Sequence, residues 1–349
     1  MPGASEAAVR YDKTVRPLAV VLSRHALTRR HAAQALVASG LDVVCTDTLR
    51  LDPAESARAR LVLVDLDLDA SAPVSELVER AAEACPRVPI VAVAGVYAEE
   101  RLLAALSEPL VASIIPKRGT GRTAVPPGVE ALGNTAWPDE HAVYTLARRR
   151  IGLSKGPGGL LLAGADLHEI SVRSSAGRWE AVAGLESLLC ALTLRPDRGA
   201  RVGLIAEELL MNALYDAPRD ARGRPRHRVG AGEVALEPSE SVMLRYGCDS
   251  QMIVVSVSDS FGTLDRASVV DRLQRVGDPE LSPADGPGGA GLGLIMAYAS
   301  SSQLWFRVAP GRTTEVTAVL RIAGSGREIQ QFGTAVHLEF EEHGEGGSG

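Results

Sequence analysis

The sequence predicts an α/β doubly wound domain with sheet order 2-1-3-4-5, followed by an α+β two-layer sandwich. Three observations carry this. Over residues 16–118 short unbroken apolar runs alternate with amphipathic stretches. Such runs fit a parallel sheet buried on both faces. From about 146 the pattern changes to helices followed by paired strand candidates. The length of 349 residues suits about two domains.

In the first domain, 16–118, the runs are LAVVLS (18–23), LDVVC (41–45), RLVLVDL (60–66), VPIVAVAG (88–95) and LVASIIP (110–116). Between the first two, ALTRRHAAQALVASG has helical spacing and stops on Gly40. Five such βα units in about 100 residues predict the small doubly wound fold. Residues 118–140 are rich in Gly, Pro, Thr and Ala without periodicity and predict a linker, set at 119–145, or an ordered irregular connection. Within 146–325, helices are expected over 177–194, 200–214 and 265–276. A Gly-rich stretch opens another at 286–301. Strands are expected at 242–247, 252–259, 304–309 and 314–322, giving helices on one face of a mostly antiparallel sheet. The extension 326–349 holds an edge strand in GTAVHLEFEE and a disordered tail, HGEGGSG.

Composition narrows function. A chain 46% apolar and 23% charged with net charge −6 is that of a soluble protein. It offers no global basic surface for nucleic acid and no run long enough to span a bilayer. Cys45, Cys85, Cys190 and Cys248 are widely spaced and form no CxxC, as expected of reduced thiols in a cytoplasmic protein. The start of the chain lacks the apolar core of a signal peptide.

Four fragments carry the chemistry. In EELLMNALYDAP (207–218) Glu208 and Asn212 are four apart, so they share a helix face. In VVSVSDSFGTL (254–264) an apolar strand ends in Asp259, with Gly262 three residues on. A carboxylate there can accept an exocyclic amine. GAGLGL supplies Gly289, Gly291, Gly293 and Leu294 at the start of a helix, where glycine backbone can approach an anion. GRTTEV (311–316) leads into the last strand and places a hydroxyl, Thr314, near such a pocket.

In this order the fragments resemble the GHKL ATP-binding fold, the Bergerat-type sandwich of gyrase, heat-shock chaperones, histidine kinases and MutL. The resemblance spans roughly 150–325. It implies ATP and Mg²⁺ as cofactors. Glu208 and Asn212 match the family's first motif, which implies Asn212 as the Mg²⁺ ligand between the phosphates and Glu208 as the base orienting a water or hydroxyl. It implies Asp259 as the adenine acceptor, with Gly262 in the first glycine box and Gly289, Gly291, Gly293 and Leu294 in the second. Thr314 falls in the closing Gly-Thr segment, and the family's lid falls at about 265–288. The sequence departs from the pattern in two places. Ser260 and Phe261 precede a single glycine where two are usual, and Tyr215-Asp216 stands where histidine kinases carry a basic residue. No helical hairpin with an acceptor histidine precedes the domain, and His168 lies in a strand-like segment. The likeness is therefore to the anti-sigma-factor serine kinases rather than to self-phosphorylating histidine kinases.

The first domain resembles the response-regulator receiver. Asp65 matches its phosphoacceptor and Lys117 its lysine. The metal-binding acidic pair is replaced by Ser23 and Arg24, and the hydroxyl residue ending strand four by Ala94. Phosphoryl transfer to a carboxylate needs that metal. Asp65 is thus a degenerate phosphoacceptor in a pseudo-receiver, an interaction or homodimerisation module. The arginine-rich RDARGRPRHR (219–228) reads as a solvated loop or a docking patch for an acidic partner. The expected whole is a cytoplasmic signal-transduction protein that binds MgATP and regulates a partner protein, with or without transfer to a partner serine. The alternative is a scaffold gated by nucleotide or free of it.

Overall fold

A computed structural model describes residues 16–48, 51–69, 71–95, 98–118, 137–192, 196–227, 233–276, 292–322 and 333–341. Five strands build its first half: β1 (Leu18–Leu22), β2 (Asp42–Thr46), β3 (Ala59–Asp65), β4 (Ile90–Gly95) and β5 (Val111–Arg118). They are parallel and run β2-β1-β3-β4-β5. Their helices are α1 (Ala26–Ala38), α2 (Pro53–Arg58), α3 (Val74–Ala84) and α4 (Glu99–Ala105). Helix α1 stops at Gly40, whose φ of +102° is open to glycine at little cost. Helix α2 starts with a reciprocal capping box between Asp52 and Glu55.

The expected linker is corrected at its C-terminal end. Residues 119–136 lie outside the described part. β6 (Trp137–Pro138) pairs antiparallel with β5, and α5 (Glu140–Arg150) follows at once. The Asp139 carboxylate caps α5 by accepting from the N–H groups of His141 and Ala142. Ala142, Val143, Leu146 and Ala147 are buried at helical spacing against α1 and the sheet. A buried amphipathic face, not a flexible connection, decides this segment.

The second half contributes β7 (Leu167–Val172), α6 (Ser175–Ala191), α7 (Pro196–Met211), β8 (Val242–Cys248), β9 (Met252–Asp259), α8 (Arg266–Gln274), α9 (Leu292–Ser300), β10 (Gln303–Ala309) and β11 (Thr313–Arg321). Its strands are antiparallel in the order β10-β11-β9-β8-β7. Helices α6, α7 and α9 pack together on one face. Residues 342–349, the expected tail, lie outside the described part.

The C-terminal strand is the second correction. β12 (Ala335–Phe340), expected at an edge, lies inside the sheet. It pairs parallel with β10, Gln303 opposite Ala335, and antiparallel with β5, His337 opposite Ser113. Both its edges find partners and His337 is fully buried. The two halves therefore share one twelve-stranded sheet among the described residues. Alternation along the strands sorts side chains to two cores. Leu18, Val20, Val255, Val257 and Phe306 join the α3, α4, α6 and α7 side. Ala19, Val21, Val254 and Trp305 join the side covered by α1 and α5. Both cores run through the β12 junction.

Candidate functional site

Helix α7 does not end cleanly. After Met211 the chain widens into one π turn, Asn212–Asp216, with the Ala217 N–H bonded to the Asn212 carbonyl at 2.9 Å. Such single π turns recur at functional sites. The turn aims Asn212 and Asp216 into a cavity of about 80 Å³. Antiparallel pairing sets Asp259, the last residue of β9, opposite Thr314 of β11. Both line the same cavity, as does Leu294 from the first turn of α9. Leu209, Val257 and Phe306 supply apolar wall. Four expected residues from distant segments, Asn212, Asp259, Leu294 and Thr314, thus meet in one place. The enclosed volume is smaller than the roughly 300 Å³ of sites that hold a whole small-molecule ligand. It suits one end of a ligand, such as a heterocycle.

Asp259 is 7% exposed. Burial pushes its carboxyl up to about 6, from an ordinary 3.8. The N–H groups of Phe261 and Gly262, at 2.8 and 3.2 Å from Oδ1, partly oppose this. The Thr314 hydroxyl also favours the charged form, yet it makes no hydrogen bond of proper geometry among the described residues. A buried acceptor beside an unsatisfied hydroxyl fits a ring that offers a donor next to an acceptor.

Glu208 lies one turn before Asn212, half-buried, against the start of α9. A Cβ on Gly293 would collide with Glu208 Oε2 and stand 2.9 Å from Glu208 Cβ and Cδ. That glycine is required for the carboxylate to sit there. Burial first, and neighbouring Glu207 second, raise the Glu208 carboxyl, while Arg178 opposes them. Glu208 itself does not line the cavity; a raised carboxylate one turn from Asn212 suits proton acceptance.

Gly262 stands between the cavity residues Asp259 and Thr263 in sequence. It does not line the cavity. It takes φ +61° and packs on the β10–β11 turn, its carbonyl accepting from the Gly311 N–H at 3.0 Å. A Cβ there would collide with Ala309 O and lie 2.6 Å from Arg312 N and 2.7 Å from Gly311 N. Gly262→Ala is expected to cost about 2–4 kcal/mol through left-handed strain and overpacking, read as a shifted urea midpoint. An unchanged midpoint would show that the turn yields freely. Gly289 and Gly291 lie outside the described residues.

Sequence reasoning did not place three charged residues of the cavity, Asp216, Arg219 and Arg272. Asp216 sits between Arg219 and Arg272, which both line the cavity. Burial raises the Asp216 carboxyl, and the two guanidinium groups oppose it, Arg272 more strongly. Asp216 was detectable as the i+4 neighbour of Asn212; Arg272 comes from another helix and carried no signal. Arg219 also changes the reading of the arginine-rich segment. Beside this cavity residue, Arg224 pairs with Asp220 at 3.0 Å and Arg226 with Glu240 at 2.5 Å. No group of three or more His, Cys, Asp or Glu side chains among the described residues is placed to hold a metal ion. A cation bound at Asn212 would need oxygens from a ligand. His168 stacks on Tyr246 across β7 and β8, with ring centroids 5.3 Å apart.

In the first half Asp65 ends β3 and is fully buried. Its Oδ2 accepts from the Ser23 hydroxyl at 2.5 Å and its Oδ1 from Lys117 Nζ at 2.5 Å. Lys117, also fully buried, bonds Asp67 Oδ2 at 2.8 Å, and the Gly95 N–H reaches that oxygen at 3.0 Å. Ser23, standing where a receiver would place an acid, closes the carboxylate with a hydroxyl. Both Asp65 oxygens are occupied inside the protein.

No family model and no curated protein matches the chain. Several solved structures are similar to parts of it, three among them as follows. A response regulator receiver domain protein from Clostridium thermocellum is 10% identical, with TM-score 0.28, over 39% of this chain and 98% of its own. The SiaB-SiaC complex from Pseudomonas aeruginosa contains a chain 18% identical, with TM-score 0.30, over 43% of this chain and 88% of its own. A response regulator from Thermotoga maritima is 19% identical, with TM-score 0.18, over 23% of this chain and 67% of its own. No helix among the described residues is long and apolar enough to cross a membrane.

Proposed function

We propose that the second half is a GHKL-type MgATP site and that the chain is a signalling protein regulating a protein partner. The observation that carries this is the convergence of Asn212, Asp259, Leu294 and Thr314 on one cavity. Asp259 and the Thr314 hydroxyl would hold the base, and the apolar wall would cover its faces. Asn212 would ligate Mg²⁺, with Arg219 and Arg272 adding positive charge at the same cavity. Bound MgATP supplies a γ-phosphoryl group for hydrolysis or transfer. Glu208, held beneath Gly293, would orient the attacking water or a partner's serine hydroxyl.

The fit is chemical rather than volumetric, because the described walls enclose about 80 Å³, less than a whole nucleotide needs. Equilibrium dialysis with labelled ATP and Mg²⁺ tests the reading. ATP is expected to bind in preference to GTP, since the exocyclic amine of adenine stands beside a ring acceptor, matching the Asp259 carboxylate with the Thr314 hydroxyl next to it, whereas that of guanine stands beside a ring N–H donor. Absence of ATP binding by folded protein would overturn it.

A second reading, a scaffold gated by nucleotide without turnover, is favoured by the buried Asp65 cluster, in which Ser23 and Lys117 hold both carboxylate oxygens. Glu208→Gln separates the two. If turnover drives regulation, this variant binds MgATP as the parent does and loses roughly 10²–10⁴-fold in phosphate release or transfer. If binding alone regulates, the parent shows no turnover to lose, and the variant regulates as the parent does.

A further inference from the structure

The helices bordering the cavity are held by the other half of the molecule. Helix α8 gives Arg272 to the cavity and begins at Arg266. Arg266 Nη2 lies 2.9, 3.0 and 2.7 Å from the carbonyl oxygens of Leu106, Glu108 and Val111, where α4 turns into β5. At the other end of α8, Gln274 Nε2 donates to Ser107 Oγ at 2.7 Å. Helix α9 gives Leu294 to the cavity and Gly293 to Glu208. One turn on, the buried Tyr298 donates its hydroxyl to Glu99 Oε1 at 2.8 Å, at the start of α4.

Helix α4 and its turn are thus tied at both ends to the two cavity helices. The halves are already joined by β12, so these ties are not needed to hold them together. They are polar and directional, and they engage the helices whose positions shape the cavity. Packed helices on one face of a fixed sheet can slide as a unit.

We propose that this attachment is an allosteric latch. Any ligand that shifts α8 and α9 shifts α4, and any partner that grips α4 changes the cavity's affinity by the same factor. The latch depends on the cavity but not on the nature of its ligand.

Hydrogen exchange on the full-length chain tests it in two arms. In the first, without ligand, Leu294→Ala loosens the cavity wall. The latch predicts roughly fivefold or greater acceleration of exchange in α4, and a clearly smaller one once Arg266→Met and Tyr298→Phe are added. Tyr298→Phe alone, which removes one hydroxyl, is predicted to reduce the transmitted effect and covers failure of the triple variant to fold. Unchanged α4 exchange on Leu294→Ala, or equal acceleration with and without the ties, would overturn the latch. In the second arm saturating MgATP is added. The latch predicts that protection of α8 and α9 extends to α4 only with the ties intact. Protection of α8 and α9 that stops short of α4 in the parent would also overturn it. If MgATP protects none of these helices, the nucleotide reading falls and the first arm still decides the latch.

Discussion

Lys117→Met is expected to lower stability by about 3–5 kcal/mol, the cost of breaking a buried ion pair on one side. Lys117 and Asp65 are both fully buried, 2.5 Å apart, and Asp67 shares the ammonium at 2.8 Å. Removing the lysine leaves two carboxylates facing each other, one with no access to water. Part of the remaining solvation, from Ser23 and the Gly95 N–H, cannot neutralise them. Adding Asp65→Asn removes the stranded charge and is expected to restore much of the loss, because charge rather than volume causes it. Urea unfolding of the two variants beside the parent measures both effects. A loss under about 1 kcal/mol for Lys117→Met would mean that water reaches the cluster and that it is not sealed.

Asp259→Ala is expected to weaken MgATP binding roughly 100-fold, the size of a lost hydrogen bond to a charged group in a buried site. The variant also strips the Phe261 and Gly262 N–H groups of their acceptor, so its melting temperature must be read beside its affinity. The pH dependence tests the same carboxylate without a mutation. Its folded value, about 6, lies above the ordinary 3.8. Between these values the folded protein holds the proton more tightly than the unfolded chain does. Burial of Asp259 therefore disfavours the fold increasingly as pH rises from about 4 to 6, and fully above 6. Ligand binding moves the opposite way. Recognition of an amine by the carboxylate is full above pH 6 and falls up to tenfold per unit below it. Affinity that is flat from pH 7 to 5 would remove Asp259 from the base-binding role.

The strands of the first half were legible because each is buried on both faces and so reads as an unbroken apolar run; Val62 and Leu63 point to opposite cores yet are equally apolar. Helix α5 was obscured by the Gly- and Pro-rich stretch before it and by Arg148, Arg149 and Arg150 at its end. One of those charges lies inside the protein: Arg149 stacks over Trp305 and pairs with Glu339 at 3.0 Å. The place of β12 was illegible because sequence shows a strand's pattern but not its neighbours. His337, polar in an apolar run, is there to meet Ser113 of β5 at 3.0 Å. The residues carried on fixed local spacings, Glu208 with Asn212 and Asp259 at a strand end, could be picked out. Arg219 and Arg272 could not, since only the fold brings α8 and the segment after α7 to one wall.

The central claim is that four separate segments make one MgATP site. Calorimetric titration of MgATP into the full chain, beside Asn212→Ala, tests it most directly. Micromolar binding by the parent is expected, with a loss of roughly 10- to 100-fold in the variant, which has no carboxamide for the cation. No heat of binding from folded parent protein, or equal affinity in Asn212→Ala, would contradict it.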